Sequence, residues 1–203
     1  MAKVKLGVLA SGRGSNLQAI MDNIDAGKLS AEVVVVISDK PGAFALERAR
    51  KKGIPAFWFE LASFPGKAEY EKAIVDTLVQ HGVDLVVLAG YMKLVGEVLL
   101  QSFPNRIMNI HPALLPAFPG AHGQRDAVEY GVRYSGCTVH FVDAGMDTGP
   151  IILQAVVPVM QDDDEDTLAQ RILQEEHKIY SQAIQLFADG KLKVEGRKVR
   201  ISN

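Results

Sequence analysis

Short apolar runs alternate with longer stretches of helical periodicity through the first half of the chain, and this constrains the fold most. Val4–Ala10, Val33–Ile37 and Asp84–Ala89 are apolar almost throughout and rich in β-branched residues. A run with no polar face is buried on both sides, which parallel strands covered by helices provide. Between these runs, Leu17, Ile20, Met21 and Ile24 recur at helical spacing, with Gly27 to close them. Ala43–Lys52, closed by Gly53, reads as a second helix, Ala56–Phe59 as a short strand, and Lys67–Gln80 as a helix through Tyr70, Ile74, Leu78 and Val79. The pattern predicts an α/β fold, a Rossmann-like open twisted sheet with helices on both faces, mostly parallel in its N-terminal half.

The second half reads differently. Met108-Asn109-Ile110 ends a short strand, and a long loop with Pro112, Pro116, Pro119 and Gly120 follows. A loop of this length in a compact domain is functional or disordered, and Leu114, Leu115 and Phe118 argue for order. Gln124–Tyr130 reads as a helix. Gly136–Val142 and Pro150–Val157 read as strands joined by a turn, the antiparallel C-terminal part of the sheet. Asp162–Asp166 supply negative charge before a long helix, Thr167–Leu186, where the helix dipole favours it. The tail, Lys191–Ile201, reads as a hairpin around Gly196. A length of 203 residues fits one domain, 1–203.

Charge and cysteine content exclude several functions. The net charge is −2, with no basic block, which argues against nucleic acid or an anionic membrane as partner. Cys137 is the one cysteine, so no internal disulfide forms, and a reducing, cytoplasmic setting is expected. No apolar run approaches the ~20 residues of a membrane span. The N-terminus reads as a first strand rather than a signal peptide.

Three motifs could carry chemistry. Ser11-Gly12-Arg13-Gly14-Ser15-Asn16 sits at a strand-to-helix turn, where free N–H groups can hold a phosphate. A dinucleotide fingerprint needs a third glycine where Leu17 stands. A mononucleotide-type phosphate cradle, or a plain tight turn capped by Ser15 or Asn16, therefore fits better. In Asn109-Ile110-His111-Pro112, strand parity sends residues 109 and 111 to one side, at the sheet edge where ligands bind. An amide and an imidazole there can stabilise an oxyanion and move a proton. Asp147, in a glycine-flanked turn, reads as turn chemistry. If the fold brings it to His111, its carboxylate favours and orients the imidazolium.

The remaining histidines are weaker candidates. His140 reads as a packed or supporting residue within a strand, His122 lies in the loop, His177 is on the last helix, and His81 ends a helix. No spacing resembles a zinc site, and no nucleophile motif surrounds Cys137.

Taken together, Ser11–Ile20, the run Asn109–Gly120, and Gly136–Val142 with Asp147-Thr148-Gly149-Pro150 resemble the phosphoribosylglycinamide formyltransferases of purine biosynthesis. The resemblance runs over nearly the whole chain, in order. It implies transfer of the formyl group of 10-formyltetrahydrofolate to the amine of glycinamide ribonucleotide, with no metal. Asn109, His111 and Asp147 stand at the family's catalytic positions. The resemblance further implies that Gly14, Ser15 and Asn16 hold the ribonucleotide phosphate and Glu176 the ribose hydroxyls. It places the folate along Met92, Lys93, Leu94 and Val95, at Asn109, and along Asp143, Ala144, Gly145, Met146 and Asp147, with Lys67 near its tail. The ribonucleotide half is then about 1–100 and the folate and catalytic half about 101–190, with a short C-terminal tail. The partners expected are small molecules, with the chain a monomer or homodimer.

Two residues depart from the family pattern. Lys93 stands where relatives carry Arg, which is harmless where backbone atoms bind the pterin. Leu173 stands where a polar residue can occur, and is left out of the site. Formyltetrahydrofolate deformylase and methionyl-tRNA formyltransferase share the Asn-His-Asp set but carry a further domain, for which this sequence is expected to have no room. The remaining alternatives are formyl transfer to another sugar-nucleotide amine and a non-catalytic nucleotide-binding module.

Overall fold

The computed structural model describes residues 3–202. The chain divides into two compact units, one up to Met108 and one from Asn109.

The first unit is a repeated strand–helix pattern. Its elements are β1 (Val4–Leu9), α1 (Ser15–Asp25), β2 (Ala31–Ser38), α2 (Phe44–Lys51), β3 (Ala56–Trp58), α3 (Lys67–Gln80), β4 (Leu85–Leu88) and the short α4 (Glu97–Ser102), with a single 3-10 turn at Leu61–Ser63. The strands lie in the order β3-β2-β1-β4 and every pair is parallel. Leu6, Val8, Leu9, Val35, Val36, Leu85, Val86 and Val87 are wholly shielded from solvent, as expected of strands with no polar face. Close helix packing is visible at Gly7, where a Cβ would collide with Leu78 of α3 and with Val83.

The helix ends follow local chemistry. α1 starts two residues before the apolar periodicity suggests, at Ser15, with Gly14 as its N-cap in the left-handed region (φ 68°). No side chain caps α1, so the cap expected from Ser15 or Asn16 is not made. Leu17, at the place of a third fingerprint glycine, is fully buried instead; truncating such a leucine to alanine costs about 2–5 kcal/mol. α3 is capped at its C-terminus by His81, whose Nδ1 lies 2.8 Å from the Thr77 carbonyl. α4 was not expected, being six residues long and too short to show a period.

β5 (Ile107–His111) leads into the second unit, which holds α5 (Gly123–Tyr130), β6 (Tyr134–Phe141), β7 (Ile151–Pro158), α6 (Glu165–Ala188), β8 (Leu192–Glu195) and β9 (Lys198–Ile201). Here β6 and β7 are antiparallel, β8 and β9 form an antiparallel hairpin, and β9 lies parallel beside β7. The parallel-then-antiparallel, Rossmann-like α/β architecture expected from the sequence is therefore present. α6 begins in a capping box, Asp164 Oδ1 accepting from the Thr167 N–H at 2.8 Å while the Thr167 side chain reaches back to the Asp164 N–H. The hairpin turns at Gly196 (φ 61°). Among the described residues no helix is long and apolar enough to cross a membrane.

Candidate active site

Four side chains of the second unit meet at the ends of β5 and β6. His111 closes β5 and is buried, at 3% exposure. Its Nε2 lies 2.7 Å from the Phe118 carbonyl. A carbonyl only accepts, so Nε2 carries a proton. Its Nδ1 lies 3.4 Å from Asp147 Oδ2. Asp147 Oδ2 also accepts the Gly120 N–H at 2.8 Å. Its Oδ1 is 3.4 Å from Asn109 Nδ2 and 3.7 Å from His140 Nε2. His140 Nδ1 donates to the Phe141 carbonyl at 2.8 Å, leaving Nε2 to accept from Asn109 Nδ2 at 3.2 Å. Both hydrogens of the Asn109 amide thus point at partners near or beyond the long end of the normal range, a geometry that readily yields to a better acceptor.

Electrostatics follow from this packing. Burial pushes the His111 pKa down, the Asp147 carboxylate and the Phe118 carbonyl push it back up, and His140 lowers it. The net result lies below the ordinary 6.5. Burial pushes the Asp147 carboxyl up, but His140, the Gly120 N–H and the charge of His111 together outweigh it and hold the group below the ordinary 3.8. Asp147 is therefore ionised at neutral pH.

The loop after β5 is tied down by Thr138 of β6. Its Oγ1 donates to the Ala113 carbonyl at 2.7 Å and accepts the Leu115 N–H at 3.1 Å. Gln154 adds bonds to the Leu115 carbonyl and to Thr138 Oγ1, each 3.0 Å. The Leu115–Pro116 peptide is cis. Phe118 and Asp147 both hold left-handed backbone, φ 51° and 54°, which is uncommon for residues with a Cβ. Such costs of about 1–3 kcal/mol cluster at functional sites, and both residues touch His111. The turn bearing Asp147 is closed by Asp143, whose Oδ1 accepts the Thr148 hydroxyl at 2.6 Å and the Gly145 N–H at 3.1 Å. Arg197, at the tip of the C-terminal hairpin, donates to the Thr148 carbonyl at 2.6 Å.

The structure thus brings Asn109, His111 and Asp147 together and adds His140, read from sequence as packed or supporting. Sequence reasoning missed the Phe118 carbonyl and the Gly120 N–H, because backbone atoms carry no residue-type signal; the proline-rich loop was the only pointer to them. Glu176 lies on α6, 7% exposed. Cys137 is buried, its thiol pushed up to about 12 by burial and by Glu176 and Glu175, so it is no nucleophile.

In the first unit, Gly14, Ser15 and Asn16 open α1. The remaining candidates there are Met92 and Leu94, both exposed, with Lys93 and Val95 in the irregular segment after β4, and Lys67 at the start of α3, 3.9 Å from Glu71. Among the described residues no three His, Cys, Asp or Glu group as a metal site would.

Comparison with known proteins gives this arrangement a context. The sequence model of the formyl transferase family matches residues 4–184. Phosphoribosylglycinamide formyltransferase of Bacillus subtilis is 46% identical over 180 residues, 89% of this chain and 92% of that protein. The trifunctional purine biosynthetic protein adenosine-3 of Drosophila melanogaster is 45% identical over 188 residues, 92% of this chain, but the match spans only 14% of that longer protein. The crystal structure of glycinamide ribonucleotide transformylase 1 from Symbiobacterium toebii superposes with a TM-score of 0.98 at 54% identity, over 100% of this chain and 95% of that one.

Proposed function

Because this chain belongs to the formyl transferase family, we propose that it transfers the formyl group of 10-formyltetrahydrofolate to the amine of 5-phosphoribosylglycinamide, a step of purine biosynthesis. The observation that carries this reading is the meeting of an amide, an imidazole and an ionised carboxylate at Asn109, His111 and Asp147. An oxyanion donor, an imidazole and a carboxylate able to move protons together serve acyl transfer to an amine.

The substrate amine attacks the formyl carbon and the carbonyl oxygen becomes an oxyanion. The Asn109 amide and the His111 Nε2–H donate to it, exchanging His140, Asp147 and Phe118 for the new acceptor. A negative charge forming beside the ring favours its protonated form, so His111 takes a proton from solvent water onto Nδ1, pairs as an imidazolium with Asp147, and returns that proton to water when the oxyanion collapses. Through a water, Asp147 moves the proton from the attacking nitrogen to the departing folate nitrogen. The C–N bond to folate then breaks, and the products are the formamide and tetrahydrofolate. No covalent bond to the protein forms.

In this reading the N–H groups of Gly14, Ser15 and Asn16 hold the ribonucleotide phosphate and Glu176 takes ribose hydroxyls. The folate runs along Met92, Lys93, Leu94 and Val95 and along Asp143–Asp147, with Lys67 near its tail. The setting is cytoplasmic.

Mixing the protein with both substrates and following the folate absorbance tests the proposal. Stoichiometric tetrahydrofolate and formylated ribonucleotide are expected. Product only with another sugar-nucleotide amine would replace the acceptor, and ligand binding without turnover would reduce the chain to a nucleotide-binding module.

A further inference from the structure

Asp39 is a buried carboxylate that the chemistry above does not use. It follows β2 and is 7% exposed. Burying an ionised group is costly unless it is paired and hydrogen-bonded. One oxygen accepts from the Ser11 hydroxyl at 2.5 Å, and the other lies 3.8 Å from Lys93 Nζ. Ser11 follows β1, between β2 and β4 in the sheet order. Its hydroxyl oxygen accepts the Met92 N–H at 2.8 Å, and its own N–H donates to the Gly90 carbonyl at 3.0 Å. One serine thus ties together the chain segments leaving three adjacent parallel strands.

The segment so held is the irregular stretch after β4. Residues 91–96 belong to no helix or strand. The stretch is anchored by Ser11 at its start and by Glu71 at its end, where Glu71 Oε1 accepts the Gly96 N–H at 2.5 Å. The glycine turn has supports of its own. The Gly12 carbonyl accepts from the Ala45 N–H at 3.1 Å, and the Arg13 carbonyl accepts from Arg48 Nε at 2.9 Å. Loss of the Ser11 hydroxyl therefore releases the Met92 N–H, and with it the start of the strip, while the supports of the turn remain.

We propose that Ser11 and Asp39 are positioning residues for folate binding, setting the backbone of Met92–Val95 through the Ser11 hydroxyl without touching either substrate. This rests on the assignment of that strip to the folate. Asp39 orients the hydroxyl by accepting its hydrogen, which turns the oxygen lone pairs to the Met92 N–H. The same carboxylate draws the Lys93 ammonium back along the strip.

The test compares wild type with S11A, S11T and D39N, measuring dissociation constants for tetrahydrofolate and for the ribonucleotide separately by calorimetry, with a thermal melt on each variant. S11A removes a charge-assisted bond and the tie that sets the Met92 backbone, so tetrahydrofolate affinity is expected to fall about tenfold, with the ribonucleotide constant within about twofold. S11T keeps the hydroxyl and restores affinity, a rescue that general destabilisation would not produce. D39N keeps an acceptor but loses the charge, and is expected to weaken tetrahydrofolate about threefold; it carries the test if S11A does not fold. Unchanged tetrahydrofolate affinity in folded S11A, or equal losses for both ligands, overturns the proposal while leaving the folate strip standing. A wild-type protein that binds no tetrahydrofolate removes the strip and the proposal together.

Discussion

The glycine turn after β1 and the side-chain cluster at the end of β5 each follow a strand, yet they are built from opposite materials. The turn offers backbone N–H groups, with Gly14 in the left-handed region and no side-chain cap on the helix it opens. The cluster is made of an amide and three titratable side chains, all buried or half-buried, whose hydrogen bonds are already engaged with one another and with the following loop. Backbone groups at a helix start bind anions without any change of protonation. A cluster whose members shift each other's pKa can pass protons. Binding and chemistry are thus divided between the two kinds of construction, and changes to each should fail differently.

The largest effect is expected at the cluster. Asn109→Ala removes an oxyanion donor, and kcat should fall about 10²–10³-fold with both KM values nearly unchanged. A large rise in KM at constant kcat would show instead that Asn109 only binds. The turn should behave in the opposite way. A Cβ at residue 14 would sit 2.8 Å from the Ala45 Cβ and 2.9 Å from its Cα, on backbone with φ 68°. Gly14→Ala is therefore expected to cost about 1–3 kcal/mol of stability and to raise the ribonucleotide KM while kcat largely survives. Urea denaturation and initial rates together check this.

A smaller effect separates the two regions by pH. Because the folded-state pKa of His111 lies below 6.5, the unfolded chain takes up the proton first as pH falls. The stability His111 contributes is complete above pH 6.5 and is lost as pH falls from there through the folded pKa. The stability gap between wild type and His111→Asn should narrow between pH 7.5 and about pH 5, while the gap for Gly14→Ala should stay constant over the same range. Smallest of all is Arg197→Ala, which frees the Thr148 carbonyl beside Asp147. The guanidinium is exposed, so a loss of about two- to fivefold in kcat is expected; Arg197→Lys should recover part of it.

The contrast also explains what could be read in the sequence. Strands such as β2 were legible because Val33–Ile37 has no polar face, and α3 because Tyr70, Ile74 and Leu78 repeat along one side and are buried there. Asn109 and His111 followed from strand parity. Asp147 did not, because its meeting with His111 depends on a tertiary turn in left-handed backbone, and only the family resemblance placed it. Phe118 and Gly120 act through a main-chain carbonyl and N–H, groups that carry no residue-type signal. Asp39 carries no sequence signal, because an aspartate after a strand reads as loop polarity until its burial is seen.

Asp147→Asn tests the central claim most directly. It keeps the shape of the side chain and an acceptor for the Gly120 N–H while removing the charge that pairs with His111 and relays the proton. Steady-state turnover with 10-formyltetrahydrofolate and the ribonucleotide, measured beside wild type on protein shown to be folded, should fall to a small remnant, with both substrates still bound. Near-normal turnover would remove Asp147 from the mechanism and contradict the account.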